Sequence, residues 1–184
     1  MPRPRIIWLY GRSGSGKTTR AEHLRMCSSG KSIMLDGDAL RETLHSDLDF
    51  SKWDRAENVF RTARLAKFLA LQGHLVIVSL MTPRSAMRQL VIENICNADI
   101  DLEMIYCDCS LADCARRDAK GLYAKHGDLG RFEDSTVEES VLAGTIKNFA
   151  FTKIPTGIHT EIKLSRVDAK SYLGPYCYDF GAAP

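Results

Sequence analysis

A chain of 184 residues, 45% of them hydrophobic, is long enough for one well-buried core and short for two, so a single domain over 1–184 is expected. The formal net charge of +2 comes from 25 Lys/Arg and 23 Asp/Glu interspersed along the chain; with no basic run, nucleic acid and anionic membrane are excluded as expected partners. The six cysteines form no C-x-x-C pair and accompany neither a signal peptide nor a long apolar segment, the pattern expected of a reduced, cytoplasmic chain.

In chain order, Ile6–Tyr10 reads as an apolar strand. Gly11-Arg12-Ser13-Gly14-Ser15-Gly16-Lys17-Thr18 follows and spells G-x-x-x-x-G-K-[ST], with a helix expected from Lys17 to about Met26. Strand, loop and helix in this order make a triphosphate cradle. The glycines let backbone N–H groups close around phosphate oxygens, and the helix N-terminus adds a partial positive charge. Gly11, Ser13, Gly14, Ser15, Gly16, Lys17, Thr18 and Thr19 are the expected ATP-binding set, with Lys17 on the β- and γ-phosphates and Thr18 on Mg²⁺.

A second strand, Ser32–Leu35, runs into Asp36-Gly37-Asp38 and sets two carboxylates at the carboxyl edge of the sheet, where α/β proteins bind ligands. Alone, this triplet suits a turn capping the next helix equally well. Beside a phosphate loop it supplies the carboxylate a kinase needs to orient or deprotonate a hydroxyl and to hold Mg²⁺. Next, Ala56, Val59, Phe60, Ala63, Ala66 and Ala70 recur at helical spacing as a buried face, while Arg55, Asn58 and Arg61 line another.

Leu75–Ser79 is the third strand and ends without an aspartate. Pro83 suits the first turn of a helix whose apolar stripe is Met87, Leu90, Val91 and Ile95. Leu102–Cys107 is the fourth strand. Cys107, Cys109 and Cys114 are spaced by two and five, unlike a zinc knuckle, which favours buried thiols. From Asp118 to Pro155 the chain turns polar and Gly-rich, as expected of a mobile lid with one short helix near Val137–Ala143; Glu161–Leu164 reads as a last strand. The alternation predicts an α/β, nucleotide-kinase-like P-loop NTPase: three layers, a parallel sheet with helices on both faces, and a Gly-rich lid.

At this point five ordered motifs resemble those of the adenylylsulfate kinases. The phosphate loop is similar to G-L-S-G-S-G-K-S/T, and Leu35-Asp36-Gly37-Asp38 with Arg41 to L-D-G-D-x-x-R. The stretch Asp49-Phe50-Ser51 to Arg61 resembles G-F-S-x-x-D-R-x-E-N-I-R-R, Asp118 to Tyr123 resembles D-P-K-G-L-Y, and Gly144 to Phe149 resembles G-x-I-K-N-F. The resemblance implies transfer of the γ-phosphoryl group of ATP to the 3′-hydroxyl of adenosine 5′-phosphosulfate. It implies Asp38 as catalytic carboxylate and, with Thr18, metal ligand, and Asp36 as its support. Arg41, Arg55 and Asn58 would hold the small-molecule nucleotide acceptor. Phe50 and Phe149 would sandwich its base, Lys120 would close the lid, and Gly121, Leu122 and Lys147 would belong to the acceptor side. Arg116 would lie with the ATP. A core-anchor role for the two phenylalanines and a solvated face for Arg55 and Arg61 are the plainer alternatives.

Three departures concentrate on the acceptor half. Ser85 replaces the arginine of S-P-H-R, with Arg84 one position away, which turns a side chain by about 100° on a helix. Ala150 to Pro155 replace T-G-I-D-x-x-Y-E, placing Phe151 where the family has glycine. A segment of about sixteen residues, Asp128 to Ala143, is inserted inside the lid. Thr82 stands where some members carry a phosphorylated serine. The reading is a Mg²⁺- and ATP-dependent 3′-kinase of a nucleotide 5′-anhydride. The alternatives are a cytidine diphosphoramidate 3′-kinase, as in a related branch, and a non-catalytic nucleotide-binding regulatory module, against which the retention of Lys17, Asp38 and Arg55 argues. A homodimer is left open.

Overall fold

The computed structural model describes residues 3–28, 32–95, 99–118, 120–126 and 149–155. Among these, strands β1 (Arg5–Tyr10), β2 (Ser32–Asp36), β3 (Leu75–Ser79), β4 (Asp101–Asp108) and β5 (Phe149–Pro155) alternate with helices α1 (Lys17–Cys27), α2 (Gly37–Glu42), α3 (Lys52–Leu71), α4 (Ser85–Ile95), α5 (Leu111–Arg117) and α6 (Leu122–His126). The strands pair in the order β2-β3-β1-β4-β5, every pair parallel. No described helix is long and apolar enough to cross a membrane.

Strand β1 shows why three layers form. Its run Ile6-Ile7-Trp8-Leu9-Tyr10 is buried throughout, because a central parallel strand is covered on both faces. Successive side chains point to opposite sides. Ile6, Trp8 and Tyr10 join Val59, Ala63, Ala66 and Ala70 of α3 and Val91, Ile92 and Ile95 of α4. Ile7 and Leu9 join Ala21 of α1, with Ile77 and Ile105 from the flanking strands. The alanines of α3 let the helix lie close to the sheet, and Ser51 caps it by accepting from the Asp54 N–H.

On the expected α3 face Val59, Ala63, Ala66 and Ala70 are buried and Ala56 packs against them partly buried, whereas Phe60 is half-buried under the Arg64 guanidinium, 5.5 Å from its ring centre. Asn58, on the face expected to carry Arg55 and Arg61, is buried. Arg61 is tied to Asp47 at 2.8 Å and to Glu57 at 2.8 Å. Pro83 is buried ahead of α4; the Arg84 carbonyl accepts from the Met87 and Arg88 N–H groups and so opens the helix.

The strand beside β4 is Phe149–Pro155, the last seven residues of the span expected to form the lid. Its register pairs Leu102 with Phe149 and Asp108 with Pro155. Phe149 therefore starts the strand at the amino edge of the sheet, about 16 Å of strand from the edge that carries the phosphate loop. The expected helix near Val137–Ala143, the expected strand Glu161–Leu164, Lys147 and the inserted segment lie outside the described residues.

Candidate active site

The loop between β1 and α1 wraps over the carboxyl end of the sheet, held by a contact in which the Gly11 N–H donates to the Met81 carbonyl at 3.3 Å. Gly11 has φ 149°, and a Cβ there would stand 2.7 Å from the Cys107 carbonyl oxygen, so the loop leaves β1 only because no side chain is present. Gly16 caps α1 in the left-handed region, φ 84°. The fully buried Ser15 hydroxyl has no hydrogen-bond partner inside this loop, as fits a donor awaiting an anion.

Lys17 Nζ donates to the Arg12 carbonyl at 2.6 Å. Burial of the ammonium pushes its pKa from 10.5 to about 8, with Lys120 lowering it further and Asp36 opposing. Thr18 Oγ1 donates to Asp36 Oδ2 at 2.9 Å and stands 3.2 Å from the Ser79 hydroxyl. This cluster of hard oxygens suits Mg²⁺, which takes one or two protein ligands and completes its shell from phosphates and water. Thr19 is exposed on the first turn of α1.

Asp36 and Asp38 divide the work expected of them. Asp36 caps α2, its Oδ1 accepting from the Asp38 N–H at 3.0 Å, and its other oxygen meets Thr18. The capping reading of the Asp-Gly-Asp triplet holds for Asp36, which also stands beside the expected metal ligand Thr18. Asp38 is exposed and its Oδ2 accepts from Lys120 Nζ, so the structure sets Asp36, and not Asp38, beside the expected metal ligand Thr18. Lys120 meets the Asp38 carboxylate and lies near enough to Lys17 of the phosphate loop to lower its pKa.

On the same edge of the sheet, Phe50 is 68% exposed, which removes the core-anchor alternative. Arg41 lies 4.6 Å from the centre of its ring and donates to the Leu48 and Asp49 carbonyls at 3.2 and 3.0 Å; Arg55 lies 6.0 Å from the ring and donates to the Phe50 carbonyl at 2.9 Å. Burial, and then Arg55, lower the Arg41 pKa. Asn58 sits behind this cluster, its Oδ1 hydrogen-bonded to Nδ1 of buried His45 at 2.6 Å. Phe149 begins β5 opposite Leu102, at the amino edge of the sheet.

Arg116 points away from the loop, paired with Asp113 at 2.7 Å. Arg117 takes the place expected of it and donates to the Gly14 carbonyl at 3.0 Å. Gly121, at φ 63°, leads into Leu122, the first residue of α6. Thr82 is 1% exposed at φ 40°, accepting from Trp8 Nε1 at 3.0 Å; its hydroxyl is enclosed. Arg88, wholly buried against the Tyr10 ring, donates to the Thr82 carbonyl at 3.3 Å. Cys107, Cys109 and Cys114 are free and buried, and burial pushes Cys107 up to about 11. Among the described residues no three His, Cys, Asp or Glu side chains group as a metal centre of their own, so a Mg²⁺ at Thr18 and Asp36 would depend on phosphate and water for the rest of its shell.

A parallel sheet in the order β2-β3-β1-β4-β5, with a phosphate loop after the central strand and a carboxylate pair after β2, defines a kinase-type P-loop NTPase fold. Residues 3–140 match the family described as adenylylsulphate kinase. The chain belongs to that family. It is 36% identical to the adenylyl-sulfate kinase of Bacillus licheniformis over 185 aligned residues, covering 95% of this chain and 85% of that one. It is 45% identical over 127 residues to the bifunctional enzyme CysN/CysC of Mycobacterium tuberculosis, covering 67% of this chain but only 21% of that larger protein. The solved structure of the M. tuberculosis APS kinase CysC in complex with AMPPNP and APS superposes with a TM-score of 0.64 at 44% identity, over 68% of this chain and 74% of that one.

Proposed function

We propose that this chain transfers the γ-phosphoryl group of ATP to the 3′-hydroxyl of adenosine 5′-phosphosulfate. The observation that carries the reading is the meeting of three groups on one sheet edge: the phosphate loop with Lys17, the exposed carboxylate of Asp38, and the Phe50 ring framed by Arg41 and Arg55. A relative solved with both AMPPNP and APS supports it.

Lys17 and the N–H groups at the start of α1 stabilise charge on the transferred phosphoryl group and the leaving ADP. Thr18 and Asp36 would hold Mg²⁺, which when bound neutralises the β- and γ-phosphate oxygens. Asp38 orients the acceptor 3′-hydroxyl and takes its proton as oxygen attacks phosphorus and the bond to ADP breaks. Arg41 and Arg55 hold the acceptor's anionic anhydride, and the Phe50 face stacks on its base. Lys120 must yield Asp38 as the hydroxyl arrives.

The test incubates the protein with Mg-ATP and either adenosine 5′-phosphosulfate or cytidine diphosphoramidate, and identifies the products by mass spectrometry and NMR. The expected product is the 3′-phosphorylated sulfate compound, absent with Lys17→Ala. Exclusive phosphorylation of the cytidine compound would reassign the acceptor, and nucleotide binding without turnover of either would leave a regulatory module. Ser85, in place of an arginine, removes an anion contact of about 1.5–3 kcal/mol. Ser85→Arg should accordingly raise kcat/KM for the sulfate compound.

A further inference from the structure

We propose that Tyr123 and Arg117 are positioning residues that hold the phosphate loop in its anion-binding shape from the base of the lid. The inference rests on the reading above that this loop takes the triphosphate.

A loop whose N–H groups converge on an anion turns its carbonyls outward, and each outward carbonyl still needs a donor. The Arg12 carbonyl is served from within the loop, by the Ser15 N–H at 3.2 Å and by Lys17. The next two are served from far along the chain. The Ser13 carbonyl accepts from the Tyr123 hydroxyl at 2.8 Å, 110 residues away, and the Gly14 carbonyl accepts from Arg117 at 3.0 Å, 103 residues away. Two successive peptide planes are thereby fixed, the first carrying the Gly14 N–H and the second the Ser15 N–H that closes the turn on the Arg12 carbonyl. Loss of either donor frees a plane to turn and loosens the loop that takes the anion.

Both donors are themselves well placed. The Tyr123 ring is 9% exposed and packs with Cys109, Cys114 and Leu111. Its N–H and that of Ala124 donate to the Asp118 carboxylate at 3.1 and 2.9 Å, which fixes the start of α6. Burial raises the phenol pKa, so the hydroxyl stays a donor at any working pH. Arg117 ends α5, whose backbone lies against Gly14: a Cβ there would be 3.1 Å from the Cys114 carbonyl oxygen.

The test measures binding of inorganic pyrophosphate and of Mg-ATP, by calorimetry, to the wild-type protein and to Tyr123→Phe, Arg117→Met and Arg117→Lys, with the melting temperature recorded without ligand. Tyr123→Phe keeps the ring and removes one donor, and should weaken both ligands about three- to tenfold. Tyrosine carries no charge, so the loss cannot come from attraction to the anion. Arg117→Met should weaken them similarly, and Arg117→Lys should restore part of the affinity. A lower melting temperature with pyrophosphate and ATP affinities within twofold of wild type would overturn the proposal and leave the kinase reading intact. A wild-type protein that binds neither ligand overturns the kinase reading and this proposal with it.

Discussion

Proton uptake on ATP binding should identify Lys17 as the group that meets the triphosphate. Its ammonium, part-buried in the loop, donates to the Arg12 carbonyl, and burial lowers its pKa to about 8. Near pH 8 a substantial share of the molecules therefore carries a neutral Lys17. A triphosphate beside it favours the charged form and returns the pKa to its ordinary value or above. Because the bound state holds more protons than the free state, affinity falls as pH rises through 8. The expected uptake follows from the neutral fraction: near zero at pH 6.5, a substantial part of a proton near pH 8 and approaching one above pH 9. Calorimetric titration of Mg-ATP in two buffers of different ionisation enthalpy gives this number directly. Lys17→Arg, which stays charged throughout, should show no such uptake. Zero uptake at pH 8, with an affinity flat from pH 7 to 9, would refute the lowered pKa of Lys17 and its place on the phosphates.

Asp38→Asn should lower kcat at least about a hundredfold while the ATP Kd stays near wild type; an equal loss of ATP affinity would reassign Asp38 to nucleotide or metal retention. Phe50→Ala should raise the acceptor KM by about five- to a hundredfold, from a stacking contact of about 1–3 kcal/mol, and leave the melting temperature nearly unchanged because the ring is 68% exposed. An unchanged acceptor KM would remove Phe50 from the site. Trp8→Phe deletes the indole donor to Thr82 in a fully buried position and should cost about 2–3 kcal/mol in urea unfolding; a loss below about 0.5 kcal/mol would show that this contact does not hold the β3–α4 turn.

The parts of this protein that were legible in the sequence are those whose cause is local. A glycine-rich loop between an apolar strand and a helix can cradle phosphate whatever surrounds it, and the β1 run and the α3 alanines announce burial through their own periodicity. The near misses arose where two neighbours could each do the job. Asp36 and Asp38 are two apart, and the capping geometry of α2 decides which meets Thr18. Arg116 and Arg117 are adjacent on α5, about 100° apart, and only the docking of that helix against Gly14 turns Arg117 to the loop. The sequence around Tyr123 carries no sign of its contact, because its acceptor is a backbone carbonyl 110 residues earlier and a carbonyl leaves no mark on side-chain identity. Phe149 was placed by its neighbours in the chain, but parallel strand pairing set it opposite Leu102, at the far edge of the sheet. His45 pairs with Asn58 across a turn that brings α2 to α3. Residue type and spacing determine what each segment can do; only the packing of helices on the sheet decides which of the equivalent groups is brought to the ligand.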